Sequence, residues 1–110
     1  MHYIIYKTTN KVNNKFYVGQ HQTENLNDSY LGSGLLLSRA IKKYGIENFE
    51  REILEECDNK HLMNEREKFW IERFDARNKD IGYNIAFGGE GGDTWSSSEN
   101  KPAIIEKLKL

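Results

Sequence analysis

Two tyrosines near the N-terminus have a spacing that points to chemistry. Tyr6 and Tyr17 are eleven positions apart, on either side of turn-forming residues at 10–14. This spacing predicts that the two phenols lie on adjacent strands of a β-hairpin. Cross-strand tyrosines are common packing partners, and a phenol with a reference pKa of about 10 is a poor base at neutral pH. Neighbouring cations that stabilise the phenolate would change this, so packing and catalysis both stay open.

Glu67 is a charged residue at a helix position that is predicted to face away from solvent. At about 100° per helical residue, it falls in the middle of an apolar stripe. The apolar residues on its side of the helix are Met63, Trp70, Ile71 and Phe74. A buried carboxylate needs a partner. The partner is either an arginine such as Arg39 or Arg51, or a hard cation such as Mg²⁺ or Mn²⁺. Water molecules and a substrate phosphate would complete the coordination shell of such a cation.

Three strands and two helices are predicted to position these residues. Residues 2–8 and 15–20 favour strands, and residues 21–34 favour a loop. A first helix ends at Gly45, a third strand covers residues 49–56, and a second helix covers residues 60–74 with Asp58 as its N-cap. Leu62 and Phe69 lie opposite Glu67, which predicts that the second helix is covered on more than one face. The order predicts an α/β layer structure of the α+β type, a small, mainly antiparallel three-stranded sheet flanked by helices.

Length and cysteine content restrict the class of protein. The chain has 110 residues, enough for one compact domain. Cys57 is its one cysteine, which excludes an internal disulfide and a cysteine-based zinc site and indicates an intracellular, cytoplasmic protein. The N-terminal apolar run is too short for a signal peptide or a membrane span, so we expect no membrane association.

The formal net charge of −1 argues against tight binding of nucleic acid by bulk electrostatics. The charge is segregated, however. Residues 1–45 carry six Lys and Arg against two acids, whereas residues 46–75 carry five against ten. One end of the fold is therefore predicted to be basic.

Composition changes near the C-terminus. Residues 88–110 are predicted to form a Gly- and Ser-rich linker followed by the start of another helix, with Pro102 near its beginning. The domain proper is predicted to cover residues 1–87. Gly32 and Gly34 lack the remaining residues of a phosphate-binding loop, and a P-loop or dinucleotide site is not supported.

Four short segments in a fixed order resemble a known family. They are Tyr3-Ile4-Ile5-Tyr6, Tyr17-Val18-Gly19, residues 64–71 around Glu67, and Gly82-Tyr83-Asn84-Ile85. Together they resemble the GIY-YIG nuclease domain, in particular the N-terminal catalytic domain of phage-type homing endonucleases. The resemblance covers residues 3–87.

The resemblance implies Mg²⁺-dependent hydrolysis of a DNA phosphodiester. Tyr6 matches a tyrosine implicated in activating the attacking water, and Tyr17 one that supports it near the scissile phosphate. Glu67 matches the metal-binding glutamate and Asn84 an asparagine that orders the site. Gly19 matches the glycine that closes the second strand.

One departure concerns the cation of the site. The family normally carries an arginine on the helix after the second motif, and residues 21–38 contain none. His21 is a candidate proton acceptor or hydrogen-bond donor to phosphate. Arg39, on the first predicted helix, is the nearest guanidinium in sequence.

The resemblance also sets expectations about partners. We expect DNA as the substrate, a tethered DNA-binding region beyond residue 110, a monomer, and a phage-infected host cell as the setting. The alternative reading is a catalytically impaired module of the same fold that docks nucleic acid or a partner protein, motivated by the missing arginine.

Overall fold

One three-stranded sheet organises the molecule, seen in a computed structural model that describes residues 1–86. The strands are β1 (His2–Asn10), β2 (Phe16–Thr23) and β3 (Phe49–Cys57). Their order is β2-β1-β3, and β1 pairs antiparallel with both neighbours. The sheet confirms the predicted fold class and leaves β2 at an edge.

Strand β2 continues past its predicted end at residue 20. His21 pairs with Ile4 and Thr23 pairs with His2, so both belong to the sheet. The polar residues at 21–23 were predicted to lie in a loop because their sequence has no periodicity. His21 therefore has a fixed backbone rather than a loop position.

Two helices cover the sheet. Helix α1 (Leu35–Tyr44) buries Leu37 and Ala40 and ends at Gly45, whose φ of 95° favours glycine. A short 3₁₀ turn (Ile46–Asn48) then leads into β3. Helix α2 (Lys60–Arg73) confirms the predicted second helix. Neither helix is long and apolar enough to cross a membrane.

The N-cap of α2 is Asn59, so the assignment of Asp58 was wrong. The Asn59 side chain accepts a hydrogen bond from the backbone N–H of Leu62 at 2.8 Å. Adjacent Asp and Asn residues are equally good caps by type. The direction in which the chain leaves β3 determines which of the two residues is the cap.

Each face of the sheet has its own core, because successive strand residues point to opposite sides. Ile5 and Val18 face α2, while their neighbours Tyr6 and Tyr17 face α1. The α2-side core comprises Ile5, Val18, Cys57, Met63, Ile71 and Ala76. The α1-side core comprises Tyr6, Tyr17, Leu37, Ala40, Phe49 and Tyr83.

The expectation that α2 is covered on more than one face was wrong. Leu62 is 37% exposed and Phe69 is 44% exposed. The guanidinium of Arg66 lies 4.2 Å from the centroid of the Phe69 ring and covers part of it. One face of α2 therefore supplies the contacts to the sheet.

The chain returns along the edge strand after α2. Ile81 and Tyr83 exchange backbone hydrogen bonds with Phe16 at 3.2 and 2.8 Å. Gly82 between them is required, since a Cβ there would lie 2.1 Å from the carbonyl oxygen of Ala76. The predicted linker and C-terminal helix at 88–110 lie outside the described residues.

Candidate active site

Tyr6 and Tyr17 form a buried pair on the α1 side of the sheet. Tyr6 lies opposite Gly19 and Tyr17 opposite Thr8, so the two rings are diagonal neighbours on adjacent strands. Their centroids are 6.3 Å apart, and the side chains are 1% and 7% exposed. The hairpin thus brings the two phenols together, as their spacing predicts.

Three glycines surround these phenols. A Cβ at Gly19 would lie 2.5 Å from the Tyr6 hydroxyl, and one at Gly32 would lie 2.9 Å from it. A Cβ at Gly34 would lie 2.5 Å from Cε1 of Tyr17. Gly32 and Gly34, which match no phosphate loop, are instead a wall of the tyrosine site. The local sequence around the two glycines did not predict this role, because the tyrosines that they contact lie far away in the chain.

The environment of Tyr6 keeps its hydroxyl protonated. Burial raises the pKa of Tyr6 far above its usual value, and the neighbouring phenols of Tyr17 and Tyr30 raise it further. The Glu67 carboxylate acts in the same direction. At neutral pH the Tyr6 hydroxyl is accordingly a hydrogen-bond donor in this arrangement.

Glu67 is buried, as its place in the apolar stripe predicts. It is 5% exposed, and its Oε1 accepts a hydrogen bond from Nε2 of Gln20 at 2.7 Å. The same amide donates to Oδ1 of Asn64 at 2.8 Å. Gln20, which the sequence reading missed, thereby connects α2 to the edge strand that carries Tyr17.

The two arginines proposed as partners of Glu67 lie in other surroundings. Arg51 donates to Asp28, at 2.9 Å. Arg39 is on the exposed side of α1, and its environment is a cleft that Tyr6, Tyr17 and Glu67 do not line. The guanidinium beside Tyr6 is Arg51, whose Cζ is 6.0 Å from the ring centroid.

His21 joins the tyrosine site through Tyr30. Its ring is stacked on Tyr30 with centroids 4.0 Å apart, and Tyr30 meets Tyr6 edge-on at 5.9 Å. Nε2 of His21 lies 2.8 Å from Oδ2 of Asp28. Asp28 and Tyr30 were missed by the sequence reading, which treated residues 21–34 as an unstructured connection.

Asn84 is hydrogen bonded to the backbone of the edge strand. Its Oδ1 accepts from the N–H of Val18 at 2.9 Å, and its Nδ2 donates to the Val18 carbonyl at 2.7 Å. Asn84 is 5% exposed. These bonds fix β2 between Tyr17 and Gly19, so Asn84 touches the backbone of the site rather than its phenols.

A basic cleft adjoins the tyrosine site. It measures about 530 Å³, and its cations come from the hairpin turn, from α1 and from the segment after α2. The basic residues are Lys15, Arg39, Lys43 and Lys79. Tyr83 lines the cleft and also packs in the same core as Tyr6 and Tyr17, so the two regions share a wall.

The donor set at Glu67 suits a hard divalent cation that keeps most of its waters. Glu67 supplies one carboxylate, and Asn64 and Gln20 surround it with amide groups. Within residues 1–86 no three His, Cys, Asp or Glu side chains are grouped to enclose a metal ion. A single carboxylate completed by waters and substrate oxygens is the pattern typical of Mg²⁺.

Comparison with known proteins agrees with this geometry. A family model for the GIY-YIG catalytic domain matches residues 2–81. The chain belongs to the GIY-YIG family. The GIY-YIG fold is seen again in the catalytic domain of the intron endonuclease I-TevI, with a TM-score of 0.62 and 35% identity, covering 80% of this chain and 97% of that one.

The chain is also similar to endonucleases of Enterobacteria phage T4. It is 55% identical to the putative endonuclease segB over 99% of its own length and 48% of that protein. It is 42% identical to endonuclease segA over 94% of its length and 48% of that protein. The chain thus spans about half the length of these relatives.

Proposed function

We propose that this chain is the catalytic part of a Mg²⁺- or Mn²⁺-dependent endonuclease that hydrolyses DNA phosphodiester bonds. The observation that carries the proposal is the buried carboxylate of Glu67 next to the edge strand that holds Tyr17. Gln20, three residues after Tyr17, donates to Glu67 at 2.7 Å. A buried acid whose charge acts on Tyr6, in a chain of this family, favours phosphoryl transfer over simple packing.

Glu67 is the residue that would hold the metal ion. When bound, Mg²⁺ would withdraw charge from the phosphate oxygens and stabilise the charge that develops in the transition state. The Gln20 amide orients the carboxylate through its hydrogen bond. The Glu67 charge acts on Tyr6, whose protonated hydroxyl would donate a hydrogen bond to the attacking water or to phosphate, with Tyr17 as its neighbour.

His21 is the side chain best suited to take the proton. In the reaction the water oxygen bonds to phosphorus, and the water proton passes to the imidazole. The P–O ester bond breaks with its electron pair on the leaving sugar oxygen, which takes a proton from solvent. Arg51, whose Cζ is 6.0 Å from the centroid of the Tyr6 ring, forms an ion pair with Asp28 on this side of the sheet.

The basic cleft supports DNA as the substrate. Lys15, Lys43 and Lys79 give it positive charge on a wall shared with the tyrosine core. Phosphate contacts of this kind position a duplex without reading its sequence. Arg39, predicted as a catalytic residue, is assigned here to holding the DNA backbone.

The remaining expectations belong to the same proposal. A tethered DNA-binding region beyond residue 110 would supply affinity and choice of target, and the catalytic part would act as a monomer in the cytoplasm of an infected host. The phage relatives, about twice as long as the matched region, have room for such a region.

Plasmid nicking tests the proposal. The protein is incubated with supercoiled DNA and Mg²⁺, and then with EDTA. We expect cleavage that EDTA abolishes and that Glu67→Gln lowers by at least about 100-fold, because the substitution removes the charge while keeping the shape. Glu65→Gln, an exposed neighbour on α2, is the matched control and should cut like the parent.

Two outcomes would contradict the proposal. Equal cleavage by Glu67→Gln and the parent would remove Glu67 as the metal ligand. DNA binding without cleavage at any Mg²⁺ or Mn²⁺ concentration would favour the docking module instead.

A further inference from the structure

Asp28 is the centre of a hydrogen-bonded cluster that none of the sequence motifs includes. Its Oδ2 accepts from Nε2 of His21 at 2.8 Å and from Oγ1 of Thr23 at 2.7 Å. Its Oδ1 accepts from Nη1 of Arg51 at 2.9 Å and from the backbone N–H of Tyr30 at 3.3 Å. Both carboxylate oxygens are thus occupied by donors from three parts of the chain.

Arg51 fixes this carboxylate to the body of the protein. Its guanidinium also donates to the carbonyl oxygens of Tyr30 and Leu26, at 2.9 and 2.8 Å. The side chain is 9% exposed. It comes from β3, the edge strand at the other end of the sheet from β2. The guanidinium therefore holds both Asp28 and the backbone on either side of it.

This arrangement decides which nitrogen of His21 carries a proton. An ionised carboxylate is an acceptor only, so the Nε2 atom facing Asp28 must be the donor. In the neutral ring Nδ1 then has the lone pair. Stacking on Tyr30 at 4.0 Å, with 12° between the planes, fixes the orientation of the ring.

The position of this ring is suited to the reaction. His21 is two residues after Gly19, and strand alternation places both on the sheet side of Tyr17. Tyr30, which stacks on His21, also contacts Tyr6. The His21 ring is therefore connected to the Tyr6 ring through Tyr30.

We propose that Asp28, anchored by Arg51, is the positioning residue for His21 and sets its tautomer so that Nδ1 accepts a proton from the attacking water. The proposal rests on the proposed function, because it assigns the proton acceptor of that reaction. The structure gives a catalytic role to a segment between β2 and α1 that has no regular secondary structure.

Imidazole ¹⁵N NMR of the parent protein tests the tautomer without DNA or metal. At a pH at which the ¹⁵N signals themselves show the His21 ring to be neutral, the ring should carry its proton on Nε2. In Asp28→Asn the tautomers should become mixed, whereas Asp58→Asn, the same change at an exposed site, should leave the signal unchanged. A proton on Nδ1 in the parent would overturn the proposal whether or not the variant folds.

Cleavage kinetics test whether Asp28 acts through His21. Asp28→Asn should lower kcat about 10- to 100-fold with little change in KM, as loss of an outer partner of a working histidine does. Added to His21→Ala, it should lower kcat no further. An equal further loss in that background would show a purely structural role and overturn the proposal. An inactive parent with the Nε2–H tautomer would instead contradict the proposed function.

Discussion

Gly34 contacts the ring of Tyr17 because it has no side chain. Its φ of −63° is one that any residue adopts, so the requirement for glycine is steric and not conformational. A Cβ there would lie 2.5 Å from Cε1 of Tyr17. We expect Gly34→Ala to destabilise the protein by about 1 to 3 kcal/mol through overpacking, and to lower cleavage by moving the phenol.

Urea unfolding and plasmid nicking measure these two effects. Ser33→Ala is the control, since Ser33 is exposed between Gly32 and Gly34 and should behave like the parent in both assays. A stable and fully active Gly34→Ala would show that the Tyr17 ring has room to move without consequence.

Asp28 should make stability depend on pH. The hydrogen bonds from His21 and Thr23, with a further one from Arg51, hold the pKa of Asp28 well below its usual range. Because the folded-state pKa lies below the unfolded value of about 3.9, the stabilisation is present above about pH 4. It is lost as the pH falls toward the folded-state pKa.

Thermal unfolding between pH 3 and pH 7 checks this expectation. Asp28→Asn should have a lower Tm than the parent at pH 6 to 7, and the difference should shrink as the pH falls below 4. A difference that stays constant over this range would mean that the charge of Asp28 contributes nothing and that shape alone matters.

At the scale of elements, the edge strand β2 depends on a side chain for the outer hydrogen bonds of Val18. Asn84 bonds both the N–H and the carbonyl of Val18, in the way that another strand would. Asn84→Ala leaves these two backbone groups without their partner, which should cost about 2 kcal/mol or more. Asn84→Asp should cost at least as much, because the oxygen that replaces Nδ2 would face the Val18 carbonyl without a hydrogen and would bury a charge.

Hydrogen exchange of the Val18 amide reports this bond directly. Exchange should be faster in both Asn84→Ala and Asn84→Asp than in the parent. Asn27→Ala, at an exposed asparagine, should leave the Val18 amide as protected as in the parent. Unchanged exchange in Asn84→Ala would show that the backbone pairing with β1 alone protects the strand.

The elements with a local signature were predictable from the sequence. Turn residues at 10–14 between Tyr6 and Tyr17 predicted the hairpin, and the helical position of Glu67 predicted its burial. The segment between β2 and α1 was not predictable, because Asp28 is ordered by Arg51, which is 23 positions further along the chain. Pairings at such distance leave no periodicity in the residues around either partner.

The surroundings of Arg39 were likewise not predictable from the local sequence. Sequence proximity made it the nearest candidate cation for the site, and α1 does form where predicted. The side of the helix that Arg39 occupies faces the basic cleft, because Leu37 and Ala40 are the residues that α1 buries. The guanidinium near Tyr6 comes instead from β3, across the sheet.

At the scale of the whole molecule, a net charge of −1 conceals a concentration of cations on one side. The cleft beside Tyr83 is lined by four basic side chains and no acidic one. Acidic residues are concentrated at 46–75, in β3 and α2. A chain that is nearly neutral overall therefore presents a local surface of positive charge.

Charge removal in the cleft should affect binding of DNA more than chemistry. Replacing Lys15, Lys43 and Lys79 with Gln together should raise KM for plasmid DNA and leave kcat near the parent value. Each phosphate contact contributes about −0.9 to the slope of log affinity against log salt, so loss of up to three contacts should flatten the salt dependence of kcat/KM. The control replaces Lys11, Lys42 and Lys68, which lie outside the cleft, with the same net change of charge. If both triple variants flatten the salt dependence equally, total charge and not the cleft holds the DNA.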